Sequence, residues 1–164
     1  MQNDFVSGSL GTKEAAGIVD RVAEKIRKFE GNIIITMDTH EEDYLNTQEG
    51  KYLPIKHCIR DTEGWELVPA IRDALEGKEY RMLQKPTFAS LDLINIVREM
   101  EKEALEIELI GLCTDICVVS NALLLKANFP EIPLVVDSSC CAGVTPHKHG
   151  AALETMTSCH IEVK

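Results

Sequence analysis

Residues 111–119, GLCTDICVV, combine a reactive side chain with a local pattern that could activate it. An apolar run over residues 107–112 ends in a turn, and Thr114 and Asp115 are residue types that commonly begin helices. Cys117 would then lie in the first turn of a helix that follows a strand, where backbone N–H groups and the helix dipole favour loss of the thiol proton. A thiolate is a nucleophile, and the same N–H groups can hold an oxyanion. The pattern indicates a cysteine hydrolase, although a small buried residue between a helix and a sheet would give the same sequence.

A second group of polar residues follows an earlier strand. Asp38 and His40 come after the apolar residues 33–36, and their spacing in extended chain would project both to one side. Glu49 and His57 lie in the polar loop 41–64 that comes next. Carboxylates and imidazoles suit Zn²⁺, Mn²⁺ or Fe²⁺, with water completing the shell. Without a metal, a surface Asp and a capping His would explain the same residues.

A single lysine occupies a comparable position after another strand. Lys85 follows the apolar strand 80–83 and precedes Pro86, which disfavours a helix at the lysine. A lysine there could stabilise a thiolate or an oxyanion, or it could be a surface residue whose stem covers apolar neighbours. Near the other end of the chain, His147 and His149 begin a helix, and capping or solvent exposure is expected of them.

The hydrophobic pattern predicts alternating helices and strands. This alternation predicts an α/β fold, a three-layer αβα arrangement around a mostly parallel, doubly wound sheet. In such sheets the site lies beyond the carboxyl ends of the strands, and Asp38, His40, Lys85 and Cys117 each fall just after a strand. The predicted helices are 13–29, 66–75, 91–103, 115–127 and 146–156, and the predicted strands are 33–36, 80–83, 107–112, 133–136 and 159–163.

Length and composition limit the number of domains and the kinds of binding partner. The 164 residues predict one domain, 1–164, and the formal net charge of −10 argues against nucleic acid or an anionic membrane surface. The sequence shows no apolar run long enough to cross a bilayer and no secretory signal, so a cytoplasmic location is expected. In that compartment the six cysteines are expected to be reduced thiols.

Taken in order, these segments resemble the isochorismatase-like cysteine hydrolases, and within them the nicotinamidase branch. Residues 1–5, MQNDF, and 8–10, GSL, look like the family's opening D-x-Q-N-D-F…G-S-L. Residues 38–40, DTH, look like its metal pair, and residues 54–58, PIKHC, resemble its P-P-H-C segment. Lys85 matches the catalytic lysine, and residues 111–117 match the elbow G-x-x-T-D-x-C. The resemblance covers essentially the whole chain.

The resemblance implies a reaction and roles for individual residues. Cys117 would attack an amide carbonyl to form a thioester, with ammonia as the leaving group. Lys85 would support the thiolate and the transition-state charge. The backbone N–H groups of Cys113 and Cys117 would form the oxyanion hole, next to a cis peptide bond between Leu112 and Cys113.

The resemblance also implies a cofactor and a pocket. The metal ligands would be Asp38, His40 and His57, with Glu49 where some members place a fourth, acidic ligand, and zinc is expected ahead of manganese or iron. In nicotinamidases this metal holds the pyridine nitrogen of the substrate. Phe5 would be a pocket wall, and Leu53 or Pro54 would take the place of an aromatic residue that usually stacks on the pyridine ring.

One family residue has no counterpart. The catalytic Asp, and the first strand of a sheet of order 3-2-1-4-5-6, would lie upstream of Met1. Asp4 matches the second Asp of the motif, which is structural in the family. A start placed too late or a truncated record is the expectation, and a natural pseudoenzyme is the alternative.

The resemblance therefore predicts a nicotinamidase of pyridine nucleotide salvage that acts as a homo-oligomer on a small amide. Two alternatives stay open. One is a related cysteine amidase, metal-free or acting on another small amide or a carbamoyl compound. The other is a non-catalytic isochorismatase-like subunit.

Overall fold

The structure is a computed structural model that describes residues 1–100 and 106–164. The chain forms two compact units, residues 1–87 and 88–164, which are described one after the other. The single-domain expectation stays a prediction. No helix in the described residues is long and apolar enough to cross a membrane.

Unit 1 is organised around a two-stranded parallel sheet of β1 (Ile33–Asp38) and β2 (Tyr80–Lys85). The register is regular from Ile33 opposite Tyr80 to Asp38 opposite Lys85, so the two strands end side by side. The helices of this unit are α1 (Asn3–Val6), α2 (Lys13–Ala16), α3 (Val19–Lys28), α4 (Gln48–Tyr52) and α5 (Pro69–Leu75), with a 3₁₀ turn at Tyr44–Asn46. Helices α3 and α5 pack against each other and contribute Val22, Ala23, Ile71, Ala74 and Leu75 to the core.

Unit 2 contains a three-stranded parallel sheet of β3 (Ile107–Leu112), β4 (Leu134–Ala142) and β5 (Glu162–Val163). The pairing of β3 with β4 shifts between Leu109 and Gly111, so the end of β3 is offset from its start. The helices are α6 (Leu91–Met100), α7 (Val119–Asn128) and α8 (Pro146–Ser158), with a π-helical turn at Thr114–Val118 before α7. The core of the unit includes Leu93, Ile94, Ala122, Leu125, Val135, Val136 and Met156.

The predicted α/β class with parallel strands is confirmed. Several helix boundaries differ from the predicted ones. The helix expected over residues 13–29 is divided at Gly17, because glycine weakens a helix even where the apolar face continues through Ile18 and Val22. The helix expected from residue 66 starts at Pro69, which takes the first helical position. Of the helix expected over 91–103, residues 101–103 lie outside the described residues.

Gly50 lies where unit 1 is tightly packed. A Cβ on Gly50 of α4 would lie 2.2 Å from the carbonyl oxygen of Tyr44, which is backbone and cannot turn aside. Gly50→Ala is therefore expected to destabilise the protein by about 1–3 kcal/mol. Thermal unfolding followed by circular dichroism measures the change.

Gly150 is the matched control, because a Cβ there meets no atom within 4 Å and the residue lies inside α8. Gly150→Ala should raise stability by about 0.5–1 kcal/mol through the better helix propensity of alanine. Equal melting temperatures for Gly50→Ala and the parent would contradict the close contact between α4 and the 3₁₀ turn.

Candidate active site

The ends of β1 and β2 bring a carboxylate and an ammonium group together. Asp38 and Lys85 are register partners, and Lys85 Nζ donates to Asp38 Oδ1 at 3.2 Å and to the carbonyl of Thr87 at 2.9 Å. Both side chains are buried, with 6% of Asp38 and 2% of Lys85 exposed. A charge taken out of water at this depth requires a partner, and each of these groups provides one for the other.

Gln2 fixes the backbone of Asp38. Its side-chain amide donates to the Asp38 carbonyl at 2.7 Å and accepts from the Asp38 N–H at 2.8 Å. The same amide also donates to the carbonyl of Trp65 at 2.8 Å. The buried Gln2 thus occupies both backbone groups of Asp38 and holds the end of β1 in place.

Four side chains of unit 1 form a cluster whose nitrogen and oxygen atoms all lie within 4.8 Å of one another: Asp38, His40, Glu49 and His57. Asp38 Oδ2 lies 3.4 Å from His40 Nε2 and 3.6 Å from His57 Nε2. Glu49 Oε1 lies 3.8 Å from each of the same two nitrogens. The end of β1 supplies the first two residues, α4 supplies Glu49, and the loop after α4 supplies His57.

This cluster fits a divalent cation. Zinc bonds of about 2.0–2.1 Å in a tetrahedron put neighbouring ligand atoms about 3.4 Å apart, close to the spacings above. Among the described residues, His40 Nε2 is a buried side-chain atom that has no hydrogen-bond partner. His57 Nδ1 lies 2.9 Å from the carbonyl oxygen of Ile55, which can only accept. The proton of His57 therefore belongs on Nδ1, and the lone pair on Nε2 faces the cluster.

The charges in the cluster shift one another's protonation. Burial raises the pKa of the Asp38 carboxyl, but its contacts with His40 and His57 and the charge of Lys85 outweigh burial and hold that pKa well below its usual range. Burial, together with the charge of Asp38, raises the pKa of Glu49. Burial lowers the pKa of His57, but its interaction with Asp38 outweighs that effect, and the net shift is upward.

Aromatic rings enclose the two histidines. The Tyr44 ring lies 4.6 Å from the His40 ring and 5.0 Å from the His57 ring, and the Phe5 ring lies 5.7 Å from that of His57, all between centroids. The Tyr44 hydroxyl donates to the carbonyl of Leu53 at 2.9 Å, and burial raises the pKa of Tyr44 to about 12. Phe5 thus lies beside His57, and the backbone of Leu53 is held by Tyr44, whereas their role as pocket walls stays a prediction.

Asp4 connects the N-terminal helix to the loop that carries His57. Its Oδ2 accepts from the Cys58 N–H at 2.7 Å and its Oδ1 accepts from the Ser9 N–H at 3.2 Å. Cys58 has a φ of +46° and its carbonyl accepts from the His40 N–H at 2.9 Å. The interpretation of Asp4 as a structural residue agrees with these contacts.

In unit 2 the predicted elbow has an unusual backbone. Gly111 has a φ of +113°, a conformation that favours glycine, and the peptide bond between Leu112 and Cys113 is cis. The N–H groups of Ile116 and Val118 both donate to the Cys113 carbonyl at 3.1 Å, which closes the π-helical turn. Cys117 is half-buried in this turn, two residues before α7 begins.

Polar contacts hold the turn at both ends. Thr114 is fully buried, and its hydroxyl lies 2.8 Å from His149 Nδ1 of α8. Asp115 accepts from the Val144 N–H at 2.9 Å. The side-chain amide of Asn121 donates to the Cys117 carbonyl at 2.8 Å. His149, for which capping or exposure was expected, is therefore a contact of the elbow.

The structure brings all four predicted metal ligands and Lys85 together in unit 1, and it places Cys113 and Cys117 in one turn of unit 2. Their chemical roles stay predictions. Sequence reasoning missed Tyr44 and Asn121 and gave Gln2 no function. An aromatic residue inside the acidic segment 41–49 was the available signal for Tyr44, and an asparagine four residues after Cys117 was the signal for Asn121.

Comparisons with known proteins agree with this geometry. The profile of the Isochorismatase domain family matches residues 1–163. An isochorismatase family protein of Bacillus subtilis, PncA, is 28% identical over 164 residues, which is 92% of this chain and 87% of that protein. The crystal structure of nicotinamidase/pyrazinamidase PncA from Bacillus subtilis has a TM-score of 0.86 at 26% identity, covering 99% of this chain and 93% of that chain. The crystal structure of pyrazinamidase from Pyrococcus horikoshii in complex with zinc has a TM-score of 0.81 at 27% identity. The match covers 100% of this chain and 94% of that chain.

The fold and the matched profile define an isochorismatase-like hydrolase, and the chain belongs to that family. Its similarity to nicotinamidases and pyrazinamidases supports the nicotinamidase branch of that family. The family predicted from the sequence is confirmed.

Cysteine labelling checks the burial of the loop next to the cluster. Cys58 has no exposed surface, and burial, with the charges of Asp38 and Asp4, raises the pKa of its thiol well above the usual value. We expect iodoacetamide to modify the exposed Cys159 at least about tenfold faster than Cys58 at neutral pH, because only an accessible thiolate reacts. Peptide mass spectrometry resolves the two sites, and equal rates in the folded protein would contradict this environment.

Proposed function

We propose that this protein is a metal-dependent cysteine amidohydrolase whose first substrate is nicotinamide, converted with water to nicotinate and ammonia. The observation that carries the proposal is the buried cluster of Asp38, His40, Glu49 and His57, in which His40 Nε2 has no hydrogen-bond partner. The same chain carries a cysteine in a turn that resembles the family's nucleophile elbow. Two solved structures with similar folds are of a nicotinamidase/pyrazinamidase and of a pyrazinamidase with zinc.

Asp38, His40, Glu49 and His57 would hold the divalent ion, with zinc the first candidate because two imidazoles and two carboxylates suit a borderline cation. When bound, the ion would supply a Lewis-acidic anchor for a lone pair of the substrate. The protein's part is to keep the imidazoles oriented, which the Ile55 carbonyl does for His57.

Cys117 is the proposed nucleophile. Its sulfur forms a bond to the amide carbonyl carbon, the carbon–nitrogen bond breaks, and the nitrogen leaves as ammonia with the proton that the thiol gave up. Water then cleaves the thioester, which releases the carboxylic acid and restores the thiol. The proposed oxyanion hole consists of the backbone N–H groups of Cys113 and Cys117, which would stabilise charge on the carbonyl oxygen in both steps.

Lys85 is the proposed cation of the reaction. Its ammonium group is buried and is held by Asp38 and by the carbonyl of Thr87, so its position is fixed before substrate binds. A fixed positive charge in a site closed to water stabilises a thiolate or an oxyanion more than the same charge in solvent does. Phe5 and Leu53 are the proposed walls against which the ring of the substrate packs.

Ammonia release tests the reaction. The parent protein, loaded with zinc, should release ammonia from nicotinamide, and Cys117→Ala should abolish the reaction because no other group supplies the nucleophile. Cys159→Ala is the matched control, since Cys159 is an exposed thiol of α8's C-terminal end and should leave the rate within about twofold.

Full activity in Cys117→Ala would reject the elbow mechanism. A parent protein that acts on a carbamoyl compound and not on nicotinamide would keep the mechanism and replace the substrate.

Zinc binding tests the cluster separately from catalysis. Titration of the metal-free protein should give one tight site per chain, and His57→Ala should weaken zinc binding by at least about 100-fold because it removes a ligand. His147→Ala, which changes an exposed histidine, should bind zinc like the parent. Calorimetry with a competing chelator measures these affinities, and equal binding by both variants would show that the cluster is not the zinc site.

A further inference from the structure

Asn121 lies on α7 one turn after Cys117, and all of its polar side-chain groups have partners. The residue is 4% exposed. Its amide nitrogen donates to the carbonyl of Cys117 at 2.8 Å and to the carbonyl of Phe88 at 3.0 Å. Its amide oxygen accepts from the N–H of Ser90 at 3.1 Å. A buried carboxamide with three hydrogen bonds is fixed in position and costs free energy to disturb.

These bonds join two parts of unit 2. One is the π-helical turn that ends at Val118, and the other is the segment from Phe88 to Ser90 that leads into α6. Because the amide nitrogen of Asn121 donates to the carbonyls of both Cys117 and Phe88, the backbone of Cys117 is tied to that segment. The helix can neither slide nor rotate at residue 117 without breaking a bond of Asn121.

The backbone of the π-helical turn explains why Cys117 requires such a hydrogen bond. Val118 and Val119 donate to the carbonyls of Cys113 and Thr114, five residues back, where a regular α-helix would use the carbonyl four residues back. A turn with this spacing can rewind to the regular pattern, which would shift residue 117 by part of the roughly 100° that separates neighbouring residues. The side-chain bond to the Cys117 carbonyl opposes that change.

We propose that Asn121 is a positioning residue that holds the backbone of Cys117 in the π-helical turn and so aims its sulfur. The proposal rests on the proposed function, in which Cys117 is the nucleophile. A small misplacement of a reacting atom can cost up to about 100-fold in rate, so a residue that never touches the substrate can control turnover.

The test compares three variants of the full chain. Asn121→Ala removes all three hydrogen bonds. Asn121→Ser keeps a hydroxyl that can reach the carbonyl four residues back but not the segment at Phe88. Asn128→Ala is the matched control, because Asn128 Nδ2 donates to the Leu124 carbonyl at 2.9 Å with the same four-residue spacing on the same helix, at an exposed position.

Two readouts are measured for each variant. The first is kcat and KM for nicotinamide, and the second is the rate at which iodoacetamide alkylates Cys117 across pH, resolved from the other cysteines by peptide mass spectrometry. Thermal unfolding establishes that each variant is folded. The alkylation needs no substrate, so it tests the position of Cys117 even if nicotinamide is not turned over.

For Asn121→Ala we expect kcat to fall by about tenfold or more with KM within twofold, and the pH profile of Cys117 alkylation to change. Asn121→Ser should recover part of the loss, and Asn128→Ala should match the parent in both readouts. If Asn121→Ala does not fold, the Asn121→Ser variant is the test of the proposal. Its kcat and its rate of Cys117 alkylation are then expected to lie between one-tenth and one-half of the parental values. A folded Asn121→Ala or Asn121→Ser protein with parental kcat and parental alkylation would overturn the proposal, as would equal losses in the Asn128 control.

Discussion

The burial of the Asp38 carboxylate is the constraint on which unit 1 depends. A carboxylate at this depth is stable only if its charge is matched, and the register of β1 with β2 brings Lys85 to one of its oxygens. The other oxygen faces two imidazoles, and Gln2 holds the backbone beneath it. With Glu49 added, two carboxylates share one ammonium group, and this imbalance is what a divalent cation would neutralise.

The turn that contains Cys117 is stabilised in a different way. It depends on an unusual backbone conformation and on hydrogen bonds of Thr114, Asp115 and Asn121. Thr114 and Asn121 hold its beginning and its end: Thr114 contacts the side chain of His149, and Asn121 bonds to backbone groups of Cys117, Phe88 and Ser90. The contacts of unit 1 therefore hold charged side chains in place, whereas those of unit 2 hold the backbone of Cys117 in its turn.

The parts of the fold that the sequence predicted well are those that depend on local pattern. The strand Ile107–Leu112 has the predicted bounds because its apolar run is continuous. The strand expected over 133–136 starts at Leu134 and continues to Ala142, because its pairing with β3, interrupted after Val136, resumes at Cys141 beyond the polar residues 137–139. Residue type and family spacing predicted the four residues of the cluster, whereas Tyr44 and Asn121 contact His57 and Phe88, which only folding brings near them.

The central claim is that amide hydrolysis passes through a thioester on Cys117, and trapping that intermediate tests it most directly. Zinc-loaded protein mixed with nicotinamide would be quenched in acid within the first turnover, digested and analysed by mass spectrometry. The account predicts a nicotinoyl group on the peptide that contains Cys117, absent when substrate is omitted. Turnover of nicotinamide with an unmodified Cys117 at every quench time, or an acyl group on another residue, would contradict it.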